Sequence, residues 1–201
     1  KYRGIYAKMT PQGEVLWAKK MNERLYYALE TMPDNGLLMT GRFLSTGSGV
    51  NVSALARTDA AGTILWSKQM QYDNINISPA PDGNIYCTAY ENKFSILSLD
   101  GTDGSLRWTK QLPFNGPIYF APFALKTASN GDGLLFAQKI QSLNRKNVIL
   151  RIDPLGNLRW SREYHNFPGD EKFGNNATLL TAHADGGFTF SNKYQPQNLI
   201  N

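Results

Sequence analysis

The chain is poor in the residues from which disulfides and metal centres are built. It has one cysteine, Cys87, and two histidines, His165 and His183, among 201 residues. A single cysteine excludes an internal disulfide and a cysteine-based metal cluster, and it does not indicate the redox compartment. Cys87 stands between apolar neighbours in a strand-like segment, which favours a small buried hydrophobe. Two histidines so far apart in the chain do not by themselves predict a metal site.

Motifs of catalysis and of membrane insertion are missing as well. The sequence contains no Gly-x-Ser-x-Gly, His-Glu-x-x-His or phosphate-binding loop. Asp100-Gly-Thr-Asp103-Gly lacks the ligand series of an EF-hand, so a plain turn is favoured, with cation binding left open. No apolar run approaches the roughly 18–20 residues of a membrane-spanning helix. We therefore predict no catalytic residue, no metal, no cofactor and no membrane span.

Four copies of one short pattern hold every tryptophan of the chain. Each copy has a glycine, three further residues, a tryptophan, a small residue and a base, and the tryptophans recur at spacings of 49, 42 and 52 residues. A local pattern that returns every 40–50 residues or so predicts a repeat architecture. The copies span residues 13–19, 62–68, 104–110 and 156–162.

Each copy predicts a β-hairpin. Asp59-Ala-Ala-Gly62 and Asp153-Pro-Leu-Gly156 have the residues of a type I turn followed by a glycine whose backbone angle a side chain would resist. The apolar residue two places before each tryptophan should share its buried face, because side chains alternate along a strand. We expect all four tryptophans to be buried at equivalent positions against a neighbouring sheet. The residues expected beside them are Val15, Ile64, Leu106 and Leu158.

A second turn signal lies between the tryptophan copies. Turns rich in Asp, Asn and Gly recur there, each followed by an apolar run, so one period holds about four strands, the size of a β-propeller blade. We predict an all-β propeller of four-stranded blades, with three whole and two partial blades in a single domain over residues 1–201. The two partial blades either complete each other in a ring of four, with Tyr6 near Phe190, or belong to a larger ring. The turns are Pro33–Gly36, Pro81–Gly83, Asn130–Gly133 and Ala184–Gly187.

These motifs resemble a known group of repeats. The pattern Asp-x-x-(x)-Gly-x-apolar-x-Trp is similar to the blade motif of quinoprotein-like propellers, whose tryptophans dock between neighbouring blades. Its combination with an Asp-Gly-Gly turn resembles large secreted repeat proteins of Bacteroidota. The resemblance runs the length of the chain and implies the fold. It implies little about function, because the same blade hosts enzymes, assembly factors and adhesion scaffolds.

The basic charge does not point to nucleic acid. The formal net charge is +5, but four of the 21 bases stand two residues after a tryptophan, where an alkyl stem can cover the ring edge. No recognition helix is visible, so we predict no nucleic-acid partner. The four bases are Lys19, Lys68, Lys110 and Arg162.

A function is expected on one face of the propeller. By the resemblance, the connections that leave each tryptophan strand gather on one face with the loops between second and third strands. These segments are rich in Asn, Tyr, Phe and Gly, which suit flat contact with protein or sugar. Tyr164 is the unusual member of its set, since Met or Leu stands four residues after the other tryptophans. The predicted binding residues are Tyr72, Asn74, Asn115, Tyr164 and His165.

We therefore predict a non-catalytic binding or scaffold propeller. It should be secreted, periplasmic or exposed at the cell surface, and it should engage a protein or glycan, within a larger surface or secretion assembly. Two alternatives stay open. A quinoprotein-like oxidoreductase fragment would need metal-binding carboxylates and a cofactor stack, and a carbohydrate-active propeller would need paired carboxylates that face the channel.

Overall fold

The structure of the chain is a computed structural model. It describes residues 4–21, 28–44, 51–70, 75–90, 94–112, 119–141, 144–164 and 179–191. In these ranges all of the regular structure is β-strand, as predicted. The strands are β1 (Gly4–Met9), β2 (Val15–Met21), β3 (Ala28–Thr31), β4 (Leu37–Leu44), β5 (Asn51–Thr58), β6 (Ile64–Met70), β7 (Ile77–Pro79), β8 (Ile85–Tyr90), β9 (Phe94–Leu99), β10 (Leu106–Gln111), β11 (Tyr119–Thr127), β12 (Gly133–Gln141), β13 (Asn144–Ile152), β14 (Leu158–Tyr164), β15 (Leu179–Ala182) and β16 (Phe188–Ser191).

The strands form five antiparallel sheets in chain order. Three sheets have four strands, each paired with its neighbour in sequence, and we name them blade 2 (β3–β6), blade 3 (β7–β10) and blade 4 (β11–β14). Two sheets have two strands, blade 1 (β1–β2) and blade 5 (β15–β16). The pattern of three whole and two partial blades is therefore confirmed.

The turn before each tryptophan strand has the predicted chemistry. In the second copy, the Gly62 amide donates to the Asp59 carbonyl over 3.0 Å, and the Thr63 amide donates to the Asp59 carboxylate over 2.7 Å. Gly62 has a φ of +74°, a left-handed conformation that favours glycine. The register shifts between Arg57 and Thr58, which marks a β-bulge where the hairpin closes. The bond from the glycine amide, the positive φ and the register shift recur in the other copies, with Thr10 in place of Asp in the first and a turn one residue longer in the third.

The Asp-Gly turns close the first hairpin of each whole blade and the hairpin of blade 5. The Asp34 carboxylate accepts the Gly36 amide over 3.0 Å, and Asp185 accepts the Gly187 amide in the same way over 2.8 Å. A side-chain oxygen that binds the amide two residues on stabilises a tight turn without help from the rest of the sheet. Both turn families are thus fixed locally by a side-chain oxygen, which Asp supplies in most copies and Thr10 and Asn130 supply in the others.

Successive blades pack face to face with their first strands innermost. Apolar side chains of blades 2 and 3 form one buried cluster, blades 3 and 4 a second, and blades 4 and 5 a third. The first strands of neighbouring blades also contact each other, β3 with β7, β7 with β11 and β11 with β15. Sheets that are stacked in this way around their first strands make a β-propeller, with each fourth strand at the perimeter.

The tryptophan of one repeat packs on the turn glycine of the next repeat. A Cβ added to Gly62 would lie 2.7 Å from the Trp17 ring, one added to Gly104 would lie 3.1 Å from Trp66, and one added to Gly156 would lie 2.8 Å from Trp108. The ring nitrogens reach the same turns, since Trp66 Nε1 donates to the Gly101 carbonyl over 3.0 Å and Trp108 Nε1 to the Pro154 carbonyl over 3.2 Å. The repeating motif therefore builds the joint between blades.

Two expectations about this strand need correction. All four tryptophans are half-buried rather than fully buried. The residues two places before them are exposed rather than on a buried face, with 57% exposure at Val15, 51% at Ile64, 57% at Leu106 and 39% at Leu158. The reason is that the bulge breaks the alternation at the start of each fourth strand, and the perimeter leaves that end uncovered.

The two partial blades stay separate sheets. Within the described residues, β1 pairs with β2 and β16 pairs with β15, so Tyr6 and Phe190 belong to different sheets. A four-bladed ring closed by these two hairpins is therefore not the arrangement in this structure.

Candidate functional site

The antiparallel topology divides the turns and loops between two faces. The Asp-Gly turns and the turns before the tryptophan strands lie at one end of each blade, and we call this end the turn face. The connections between second and third strands, and from each fourth strand to the next blade, lie at the opposite end, the loop face. The predicted binding residues are expected at the loop face, whose connections fall largely outside the described residues.

The five predicted binding residues are only partly described. Tyr164 is the last residue of β14, and its backbone pairs with Asn147 of β13 at the loop face. The other four, Tyr72, Asn74, Asn115 and His165, lie outside the described residues. Their assembly into one site stays a prediction.

Asn147 is a loop-face residue that the sequence analysis missed. Its side chain is 5% exposed, and within the described part of the chain its Oδ1 has no hydrogen-bond partner. A buried acceptor without a donor costs about 1–3 kcal/mol, which an ordered water or another donor group would offset. Nothing in the local sequence around Asn144–Lys146 distinguishes this residue from an ordinary loop amide.

Polar side chains link the first strands near the propeller axis. Lys126 Nζ of blade 4 lies 2.5 Å from Glu30 Oε1 of blade 2, and both side chains are partly buried. Thr127 donates from its hydroxyl to that of Ser78 in blade 3 over 2.9 Å. Lys126 neutralises Glu30, so this carboxylate is held as half of an ion pair. Sequence reasoning missed the cluster because its members are 96 and 49 residues apart and share no motif.

A buried ionic cluster supports the turn face of blade 4. The Asp132 carboxylate accepts from Arg151 Nε over 2.7 Å and from Arg159 Nε over 3.0 Å, while its side chain is 2% exposed. Burial raises the pKa of Asp132, but hydrogen bonds from Arg151, Asn130 and Arg159 outweigh it and hold that pKa below its ordinary value. Three segments of one blade are tied together at this carboxylate, which gives it a structural role.

Arg57 plays a related part in blade 2. Its guanidinium lies 2.6 Å from the Asp34 carboxylate in the Asp-Gly turn of its own blade, and it also donates to the Gly101 carbonyl in blade 3. Arg151 likewise reaches the Gly186 carbonyl in blade 5 over 3.3 Å. The same strand position therefore joins a turn within the blade to a turn of the next blade.

The single cysteine and its neighbour are structural. Cys87 is fully buried, and burial raises the pKa of its thiol to about 12, so the reactive thiolate is suppressed. Burial, followed by the charge of Asp82, raises the pKa of Tyr86 to about 12, and its hydroxyl donates to the Gly131 carbonyl of blade 4 over 3.0 Å. The expectation that Cys87 is a buried hydrophobe is confirmed.

The remaining acidic candidates behave as turn residues. Asp100 Oδ1 accepts the Thr102 amide over 2.8 Å, and Asp103 Oδ1 accepts the Ser105 amide over 2.7 Å. His183 directly follows β15, and its Nε2 lies 2.7 Å from the Thr189 hydroxyl. In the ranges that the structure describes, no three His, Cys, Asp or Glu side chains are grouped so that they could hold a metal ion. No helix there has the length and apolar character needed to cross a membrane.

Comparisons with known proteins give a likeness to solved structures. The chain is similar to BamB from Moraxella catarrhalis, with 18% identity, a TM-score of 0.48, and coverage of 79% of this chain and 43% of that chain. It is also similar to the dihydro-heme d1 dehydrogenase NirN in complex with DHE, with 12% identity, a TM-score of 0.46, and coverage of 90% and 44%. The chain thus spans less than half the length of these two proteins. No protein-family model and no curated protein matches it.

Proposed function

We propose that this chain is a non-catalytic binding or scaffold propeller that engages a protein or a glycan through its loop face. The observation that carries the proposal is the use of the repeated residues. Trp17, Trp66 and Trp108 each pack on the turn glycine of the next blade. The repeated chemistry therefore builds a rigid frame, and the connections that differ between repeats are free to serve recognition.

The composition of the loop face suits a flat partner surface. Tyrosines and amides, including Tyr72, Asn115 and Tyr164, bury large areas at low entropic cost and offer adaptable hydrogen bonds. The Oδ1 of Asn147, which has no partner among the described residues, adds a buried acceptor near the end of β14. A sugar hydroxyl or a peptide amide would satisfy it, which is the reason for proposing these two partner classes.

The same proposal includes a cellular location outside the cytoplasm. The resemblance to large secreted repeat proteins of Bacteroidota supports a secreted, periplasmic or surface-exposed protein. We further propose that it acts within a larger surface or secretion assembly, because a frame with one recognition face is suited to hold a partner rather than to transform it.

A photo-cross-linking experiment tests whether the partner binds at the loop face. A photoreactive phenylalanine analogue replaces Tyr72 or Tyr164, which are predicted to serve the loop face, and in the control variant it replaces Leu155 on the turn face, which is 70% exposed. Each variant is irradiated with a periplasmic and secreted protein fraction, and Tyr72→Ala and Tyr164→Ala are compared with the unchanged chain on a glycan array. We expect partner adducts or glycan signals that depend on the loop-face positions. Adducts confined to the Leu155 variant, with no glycan signal, would contradict the proposal.

A further inference from the structure

The joint between blades is incomplete at both ends of the described arc. Gly13 stands in the turn of blade 1 at the position of Gly62, Gly104 and Gly156, yet a Cβ added to Gly13 would meet nothing within 4 Å. Trp160 of blade 4 contacts Phe188 of blade 5, with ring centroids 6.0 Å apart. The turn glycine that covers each earlier tryptophan has no counterpart for Trp160 in the described part of blade 5. One end thus presents a glycine without its tryptophan, and the other a tryptophan without its glycine.

Blade 1 also shows apolar surface that a preceding blade would cover. Strand β1 of blade 1 corresponds to the third strand of a whole blade, since it pairs with a tryptophan strand. Ile5 in β1 is therefore equivalent to Ala54 in β5 and Val148 in β13, because each lies opposite the residue three places after a tryptophan. Ala54 is 5% exposed and Val148 is 1% exposed, whereas Ile5 is 70% exposed. An uncovered strand edge with apolar side chains is a surface for pairing with another strand.

The two partial blades are complementary in strand order. Blade 5 supplies a first and a second strand, and blade 1 supplies a third and a fourth. In blade 2, the second strand β4 pairs with the third strand β5 so that Met39 lies opposite Ala56. The same register, transferred to β16 and β1, places Phe190 opposite Ala7.

Charge is complementary at the same junction. Lys8 lies opposite Trp17, as Arg57 lies opposite Trp66, and Asp185 has the turn position of Asp34. Arg57 and Asp34 form an ion pair at 2.6 Å. In a blade built from β15–β16 and β1–β2, Lys8 and Asp185 would therefore meet as Arg57 and Asp34 do, and both are exposed in the single chain.

We propose that a second copy of this chain completes both partial blades. β15–β16 of each copy pairs with β1–β2 of the other, and Trp160 of each copy packs on Gly13 of the other. The product is a closed two-fold ring of eight blades, with three whole blades from each copy and two shared ones. This inference is independent of the proposed function, because it concerns the ends of the arc and not the loop face.

Disulfide trapping tests the junction directly. Residues directly opposite each other in antiparallel strands have Cα atoms about 4.5–5.5 Å apart, which a disulfide can span. Ala7→Cys and Phe190→Cys are introduced in separate preparations and mixed under mild oxidation, and the native Cys87 is retained because it is fully buried. We expect a covalent dimer in the mixture. The control mixture pairs Ala7→Cys with Thr189→Cys, whose side chains point to opposite sides of the sheet, and should give little dimer.

Other outcomes overturn the proposal. A double variant, Ala7→Cys with Phe190→Cys, that closes a disulfide within one chain while the mixture stays uncrosslinked would indicate a four-bladed ring. A chain that sediments as a monomer at every concentration tested, without a cross-link in the mixture, would mean that another segment or protein covers β1.

Two further pairs of variants remain informative if the cysteine variants fold poorly. Lys8→Asp should raise the dimer dissociation constant about tenfold, since two exposed pairs become repulsive, and Lys8→Asp with Asp185→Lys should restore it. Gly13→Ala should also weaken the dimer, while Gly83→Ala should not. Both glycines have positive φ, +87° and +84°, and both have open space around an added Cβ, so backbone strain is matched. Equal dimerisation of these two variants, together with no response to the charge swap, would refute the junction.

Discussion

At the residue scale, the glycine that precedes each tryptophan strand has two separate reasons to be glycine. Gly156 has a φ of +82°, and an added Cβ would lie 2.7 Å from Lys110 Cγ and 2.8 Å from the Trp108 ring. The first condition concerns its own turn, and the second concerns the previous blade. The turn condition could be read from the sequence, because Asp153-Pro-Leu-Gly156 has the residues of the turn. The contact could not, since 48 residues separate Trp108 from Gly156 and no local pattern encodes which surface the ring meets.

The two conditions can be separated by alanine. Gly83→Ala should lower the free energy of unfolding only by the cost of a left-handed backbone, roughly 1–2 kcal/mol, because nothing lies within 4 Å of its added Cβ. Gly156→Ala should lower the free energy of unfolding by about 1–3 kcal/mol more, since the methyl group must displace the Trp108 ring and the Lys110 stem. Urea unfolding of both variants measures the difference. Equal losses would show that Trp108 does not occupy the site.

At the scale of single elements, the sequence predicted the hairpins well and their exposure less well. The start of β4 at Leu37 and of β8 at Ile85 follows directly from the preceding Asp-Gly turns. The expected burial of Val15 and Ile64 was wrong, because period-two alternation holds only where the ladder is regular and each bulge interrupts it. Exposure also depends on the distance from the propeller axis, which a local pattern does not contain.

The Asp132 cluster gives blade 4 a defined response to acid. Asp132→Asn should cost about 1.5–3 kcal/mol of unfolding free energy at pH 7, because hydrogen bonds to a charged acceptor are lost. An amide fits at this turn position, since Asn84 stands there in blade 3 and accepts from Arg107 over 2.8 Å. The pKa of Asp132 is lowered in the fold, so its contribution is complete above the ordinary value near 4 and is lost as pH falls through the lowered pKa.

The difference between Asp132→Asn and the unchanged chain should therefore shrink as pH falls below about 4. Chemical unfolding at a series of pH values measures it. Asp82→Asn is the control, because Asp82 is an exposed turn carboxylate whose amide-binding role an Asn can fill, as Asn130 does in blade 4. A difference that stays constant from pH 7 to pH 2 would contradict the ionic role of Asp132.

At the scale of the whole molecule, the sequence repeat made the fold predictable. The binding site, which is expected in the loops between the repeated strands, stays largely a prediction. Four equivalent Trp copies established the number of blades, because a period of this length fits one blade. The binding residues were assigned from unusual loop residues such as Tyr164, and loops carry no period from which position could be derived. Asn147 and the Glu30–Lys126 pair were missed for the related reason that each becomes notable only when distant strands are brought together.

Hydrogen exchange should show that the whole blades are better protected than the partial blades. A two-stranded hairpin with one covered side is marginal in water, whereas a four-stranded sheet between two neighbours is protected on both faces. We expect the slowest amide exchange in β8, β9, β12 and β13 and the fastest in β1–β2 and β15–β16 at low protein concentration. Mass spectrometry of proteolytic fragments after deuterium labelling resolves these segments. Uniform protection across all sheets at low concentration would contradict a linear arc of blades.

The central claim is that the tryptophan of one repeat and the turn glycine of the next form a single joint. A double-mutant cycle on Trp108→Ala and Gly156→Ala, read by urea unfolding, measures the coupling between two residues in different blades. With Trp108 present, Gly156→Ala should cost more than Gly83→Ala by about 1–3 kcal/mol. Once Trp108 is replaced by alanine, the cost of Gly156→Ala should fall toward that of Gly83→Ala, with only the contact between the added Cβ and Lys110 Cγ remaining. Strict additivity, with the same cost of Gly156→Ala in both backgrounds, would contradict the joint.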